Sequence, residues 1–139
     1  SGQIEKKSAE ETKLLAAEEL EPYYLDYKSK GHKIELAGTE EIDGTACFKL
    51  KATKKNGDVE YLFFDSENMS LIMSRSTLKT GPAKGMQSDT YYSDYDLVNG
   101  LSMPHKLIQS FAGQKVTINL SSIKINAKVD KKIFAFPKK

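Results

Sequence analysis

The spacing of apolar residues changes character near Gly31. Before it, Leu14, Leu15, Ala17 and Leu20 recur at the three- to four-residue interval of a helix face. Ser8-Ala9-Glu10-Glu11 has the form of a capping box, in which Ser8 takes an orphan amide at Glu11 and Glu11 reaches back. Pro22 cannot continue that helix without losing a hydrogen bond, but it suits the first turn of another. Tyr23, Tyr24 and Tyr27 then share a face, Lys28 and Lys30 complement the carboxyl end, and Gly31 is a natural terminator. The pattern predicts helix over residues 3–30, as two short helices or one broken at Pro22.

From His32 onward the period is two. Asp43-Gly44, Asn56-Gly57, Asn99-Gly100 and Ala112-Gly113 punctuate it, and Asx-Gly pairs readily take the positive φ of tight hairpins. Strands are predicted at 32–42, 45–54, 59–65, 70–79, 88–98, 101–111 and 114–125, a seven-stranded antiparallel meander. Residues 81–85 form its one loop of real length.

Register follows from turn length. A two-residue turn at Asn56-Gly57 puts Leu50 opposite Phe63 and Ala52 opposite Tyr61, with Phe48 on the same side. Cys47, Lys49 and Lys51 then share the other side with Phe64, Leu62 and Glu60. At Asn99-Gly100 the same rule pairs Tyr92 with Leu107, Asp94 with His105 and Asp96 with Met103. At Ala112-Gly113 it sets Ile118 beside Leu107 and Leu120 beside His105. At Asp43-Gly44 the rule would oppose Leu36 to Lys51, so a bulged three-residue turn, with Leu36 opposite Ala52, is expected there.

The predicted class is α+β, mainly β: one curved sheet whose apolar face is covered by the N-terminal helix or helix pair. Seven strands at ~4.8 Å spacing span roughly 30 Å, whereas one helix covers about 10 Å. Some apolar surface should therefore stay open as a groove. Phe48, Leu50, Tyr61, Phe63, Tyr92, Met103, Leu107 and Ile118 are its candidate lining, and most of the eight should also belong to the core.

Composition narrows the chemistry. The 139 residues carry 21 basic and 19 acidic side chains, a net charge of +2, and Arg75 is the only arginine. Arginine supplies the bidentate contacts of base-edge recognition, so a specific nucleic-acid reader is disfavoured. No run approaches the ~18 apolar residues of a transmembrane helix. Cys47 is the only cysteine, which excludes an internal disulfide and a four-cysteine zinc site.

Catalytic signals are weak. Residues 81–85 lack the Gly-Lys-Ser/Thr ending of a phosphate loop. His105 and Asp94 would make half of a triad, but no nucleophile sits in a strained elbow. The two histidines lack metal-ligand spacing, and no cofactor is expected. Cys47 has no general base, and the aspartates do not form a calcium loop. Ile133, Phe134 and Phe136 in the tail are expected to pack back on the sheet edge.

Several stretches together resemble a known family. They are Ser8-Ala9-Glu10-Glu11, Leu25-Asp26-Tyr27-Lys28, Gly31-His32-Lys33-Ile34-Glu35-Leu36 and Phe48-Lys49-Leu50-Lys51. Lys55-Asn56-Gly57-Asp58, Tyr91-Tyr92-Ser93-Asp94-Tyr95, Met103-Pro104-His105-Lys106 and Asp130-Lys131-Lys132-Ile133-Phe134 continue the series. The chain resembles the outer-membrane lipoprotein-sorting-protein-like family, whose fold is that of the LolA-like periplasmic lipoprotein carriers. The resemblance implies an unclosed barrel with helices over its concave apolar face, and a short closing helix. It also implies export to the periplasm, no catalytic residues, and a single domain over 1–139 that lacks the N-terminal strands of a typical member.

The first functional expectation is accordingly a non-catalytic carrier of an acyl chain or lipoprotein. The second is an interaction module that pairs through an exposed sheet edge, as a homodimer or with its missing N-terminal part. A hydrolase built on His105 and Asp94 ranks last.

Overall fold

The computed structural model describes residues 8–9, 12–13 and 22–135. Seven strands run in chain order: β1 (Lys33–Ile42), β2 (Thr45–Thr53), β3 (Val59–Asp65), β4 (Leu71–Thr77), β5 (Gln87–Val98), β6 (Leu101–Phe111) and β7 (Gln114–Asn119). Each is antiparallel to the next, giving one unclosed sheet in the order β1-β2-β3-β4-β5-β6-β7. A 3₁₀ turn, Lys131–Phe134, follows, with the Asp130 carboxylate accepting from the Lys132 amide at 2.9 Å.

The α+β expectation is corrected. The described residues form an antiparallel β-sheet with almost no helix, and among them no helix pair covers it. Residues 22–31 wind through consecutive turns, and the cause is local. Asp26 adopts φ 52°, a left-handed conformation that interrupts an α-helix. The amides of Leu25, Ser29 and Gly31 reach carbonyls three residues back, at 3.0–3.1 Å, and that of Lys30 reaches Asp26 four back, at 3.2 Å. Of the first predicted helix, only Ser8, Ala9, Thr12 and Lys13 are described. Thr12 donates its amide and hydroxyl to the Ser8 carbonyl, at 2.9 and 2.8 Å. Glu11 of the capping box, Leu14, Leu15, Ala17 and Leu20 lie outside the described residues.

Strand positions agree with the hydrophobic period, but two registers do not. Asp43 and Gly44 have φ 48° and 83°, the signature of a two-residue type I′ turn, and Ile42 pairs with Thr45. The bulged three-residue turn expected here is absent: the bulge lies at Ala37 inside β1, and Leu36 stands opposite Leu50 in place of Ala52. Between β2 and β3 the loop holds three residues, with positive φ only at Gly57. The Lys54 amide bonds the Asp58 carbonyl at 2.7 Å, and the Asp58 amide bonds Asn56 Oδ1 at 3.0 Å. That extra residue moves β3 by one place, so Leu50 meets Leu62 and Phe48 meets Phe64. Tyr61 and Phe63 consequently exchange faces with Leu62 and Phe64.

Later registers follow the turn rule. Tyr92 opposes Leu107, Asp96 opposes Met103, and Leu107 opposes Ile118. The Leu120 amide donates to the His105 carbonyl at 2.8 Å. β7 ends at Asn119, short of the predicted residue 125.

Two cross-strand rows summarise the sheet. On one face, Leu36, Leu50, Leu62, Ser74, Thr90, Gln109 and Val116 stand side by side through all seven strands. On the other, Glu35, Lys51, Tyr61, Arg75, Asp89, Ser110 and Lys115 do the same. This second face also carries the densest core, Ile42, Cys47, Phe63 and Met73, with Tyr61, Ile72 and Tyr91 against it. Charged side chains help to roof it. Lys49 Nζ and the Arg75 guanidinium lie 5.5 and 5.6 Å from the Phe63 ring centre. Arg75 is held by a bidentate pair to Asp89, with both contacts at 2.9 Å, and Lys49 by Glu40 at 2.8 Å. Such long side chains bury their stems while their heads reach water.

Candidate functional site

The first face, holding Leu36 and Val116 at its two ends, is where apolar surface and cover fail to match. Its centre is closed: Ala52 and Leu62 are buried. The cover is the turn segment 22–31, fixed by two tyrosines. Tyr24 stands edge-on to Phe64 of β3, ring centres 6.0 Å apart. Tyr23 packs edge-on to Tyr24 and His32, and Lys54 Nζ lies 4.3 Å above its ring. Lys54 in turn pairs with Glu60 at 3.0 Å. His32 closes the segment, its Nδ1 accepting from the Lys55 amide at 2.9 Å, which makes Nδ1 the unprotonated nitrogen.

One polar group of this cover stands apart. The Tyr23 hydroxyl is buried without a hydrogen bond of normal geometry. Burial first, and then the nearby Glu60 carboxylate, hold it well above the ordinary tyrosine range. Tyr92 lies beneath, its hydroxyl 3.2 Å from Ser74 Oγ, and burial raises it also. Tyr95 donates to the Leu71 carbonyl at 2.6 Å; burial, then Tyr24 and Tyr92, push it up to about 12.

The flanks are open. Leu36 is 67% exposed at the β1 end, and Val116, Ile118 and Leu120 are 45%, 47% and 38% exposed at the β7 end. The flanks frame the tyrosine cover rather than a closed cavity.

The eight residues singled out by sequence divide between the faces. Phe48, Leu50, Tyr92, Leu107 and Ile118 belong to the partly open face. Tyr61 and Phe63 lie on the other, under Lys49 and Arg75. Met103, four residues before Leu107, is half-buried. Sequence reasoning missed Tyr24, Phe64, Leu36 and Val116. The alternation of β2 against β3 would have found Phe64 had the loop been counted as three residues.

Other candidates find ordinary settings. His105 Nδ1 lies 3.3 Å from the Met103 carbonyl, and Asp94 is exposed with φ 54°. Among the described residues no hydrogen bond or ion pair joins them. Cys47 is buried and its Sγ reaches the Thr45 carbonyl at 3.4 Å. Burial and then Asp65 raise its thiol, away from the reactive thiolate. Ile133 and Phe134 are 69% and 78% exposed and so do not pack on the sheet edge, while Phe136 is outside the described residues. Among the described residues no three His, Cys, Asp or Glu gather as a metal site, and no helix is long and apolar enough to cross a membrane. No family model, curated protein or solved structure matches the chain.

Proposed function

We propose that this protein binds an apolar ligand, an acyl chain or the acyl chains of a lipoprotein, on the partly covered face, without catalysis. The observation that carries the reading is the single row that is buried at Leu62 and exposed at both Leu36 and Val116. An acyl chain laid along either flank gains about 0.8 kcal/mol for each methylene it buries and needs no polar partner. Phe48 and Leu50 would form the floor beside Leu36, and Leu107 the floor beside Ile118. Tyr61 and Phe63 take no part. The periplasmic setting belongs to this proposal through the family resemblance.

Native mass spectrometry after gentle extraction, followed by loading with a fluorescent fatty acid, tests it. Bound lipid, or saturable loading that Ile118→Lys or Leu36→Lys weakens, supports the reading. A chain that carries no lipid and takes up none is no carrier.

A further inference from the structure

The outer edge of β7 differs from that of β1. β1 carries the bulge at Ala37 and the charges of Lys33, Glu35, Glu40 and Glu41 along its length. These are the usual protections of an edge strand. β7, Gln114–Asn119, has no bulge, no proline and one charge, Lys115, and every residue in it is exposed.

Its hydrogen-bonding phase follows from the turn. Ala112 and Gly113, φ 48° and 75°, form a two-residue turn closed by the pair Phe111 and Gln114. Such a closing pair is hydrogen-bonded, so Gln114, Val116 and Ile118 direct their backbone groups to β6. The Leu120 amide on the His105 carbonyl continues the same phase. Lys115, Thr117 and Asn119 therefore point their N–H and C=O groups outward, where no described strand meets them.

We propose that β7 is a dimerisation edge that pairs antiparallel with β7 of a second copy, centred on Thr117. A two-fold axis normal to the sheet keeps the faces distinct. Centring on Thr117 joins Thr117 to its copy and Lys115 to Asn119 as hydrogen-bonded couples. Val116 then stands opposite Ile118 of the second copy on the apolar face. No like charges meet. Centring on Val116 would instead oppose Gln114 to Ile118, a polar–apolar mismatch. Of the two in-phase registers that overlap five residues of β7, the one centred on Thr117 thus matches apolar with apolar, and the open apolar flanks of two copies become continuous. The inference needs no ligand and is independent of the lipid-binding reading.

Sedimentation velocity over a concentration series, with cysteine cross-linking, tests the edge and its register. Hydrogen-bonded partners sit about 5.5 Å apart at Cα, within disulfide reach, so Thr117→Cys should oxidise to a covalent dimer. Val116→Cys should not, its copy being roughly 7–8 Å away on the diagonal. Buried Cys47 remains silent in both. Thr117→Pro removes only an outward donor, leaves the β6 ladder intact and should weaken association at least ~10-fold with an unchanged circular dichroism spectrum. A monomer at every concentration, cross-linking at 116 in place of 117, or unchanged association of folded Thr117→Pro would overturn it.

Discussion

The ring of Tyr24 meets that of Phe64 edge-on, centres 6.0 Å apart and planes at 88°, and so ties the turn segment 22–31 to β3. Edge-to-face pairs contribute about 0.5–1.5 kcal/mol beyond the area they bury. A double-mutant cycle of Tyr24→Leu and Phe64→Leu in urea should return a coupling in that range. A coupling near zero would mean that the segment is held elsewhere.

Phe63 is fully buried, whereas Leu36 is two-thirds exposed. Phe63→Ala should cost about 3–5 kcal/mol in chemical denaturation, by lost burial and the cavity left behind. Leu36→Ala should stay within about 0.5 kcal/mol, since an open flank has little packing to lose. Similar losses would mean that Leu36 is packed as tightly as Phe63.

Alkaline pH should unfold the protein. The Tyr95 hydroxyl, pushed up to about 12, holds its proton more tightly when folded than when unfolded, where a tyrosine titrates at about 10. Its contribution is complete below pH 10, declines between about 10 and 12, and is gone above. Tyr23, Tyr24, Tyr91 and Tyr92 are raised in the same direction, each first by burial. Urea midpoints should thus be level up to about pH 9 and fall beyond 10. Tyr95→Phe should flatten part of that fall, while losing about 1 kcal/mol at neutral pH with the hydrogen bond to Leu71.

Arg75 and Asp89 make a bidentate, partly buried pair over the Phe63 ring. Arg75→Lys keeps the charge but loses the fork, and should cost about 1–2 kcal/mol in thermal or urea unfolding. Equal stability of the lysine variant would show that charge alone suffices there.

Ala112 occupies φ 48° in the β6–β7 turn, a conformation that costs an ordinary L-residue roughly 1–2 kcal/mol. Ala112→Asn should relieve part of this and raise the unfolding free energy measured in urea by about 0.5–1 kcal/mol, because asparagine tolerates the left-handed region. It should also leave the β7 edge unchanged in sedimentation.

Some of the candidate site could be read directly from the chain. Asn99-Gly100 and Ala112-Gly113 each supply two consecutive positive φ angles, so their hairpins have the shortest loop and their registers follow by counting. The neighbourhood of Leu107 and Ile118 was legible for that reason. The Tyr24–Phe64 contact was not, since it joins a turn segment to a strand forty residues away in sequence.

Sequence alone determined the number and order of strands, because period-two patterning and turn dipeptides act over a few residues. Tertiary structure decided which way β3 faces. Asn56-Gly57 accommodates either a two- or a three-residue loop, and the choice fell to the longer one, which matches Leu50 with Leu62 and Phe48 with Phe64 across the sheet. It likewise decided that Tyr23 and Tyr24 cover β3 from a run of turns. Helical spacing survives a left-handed residue such as Asp26, but the helix itself does not.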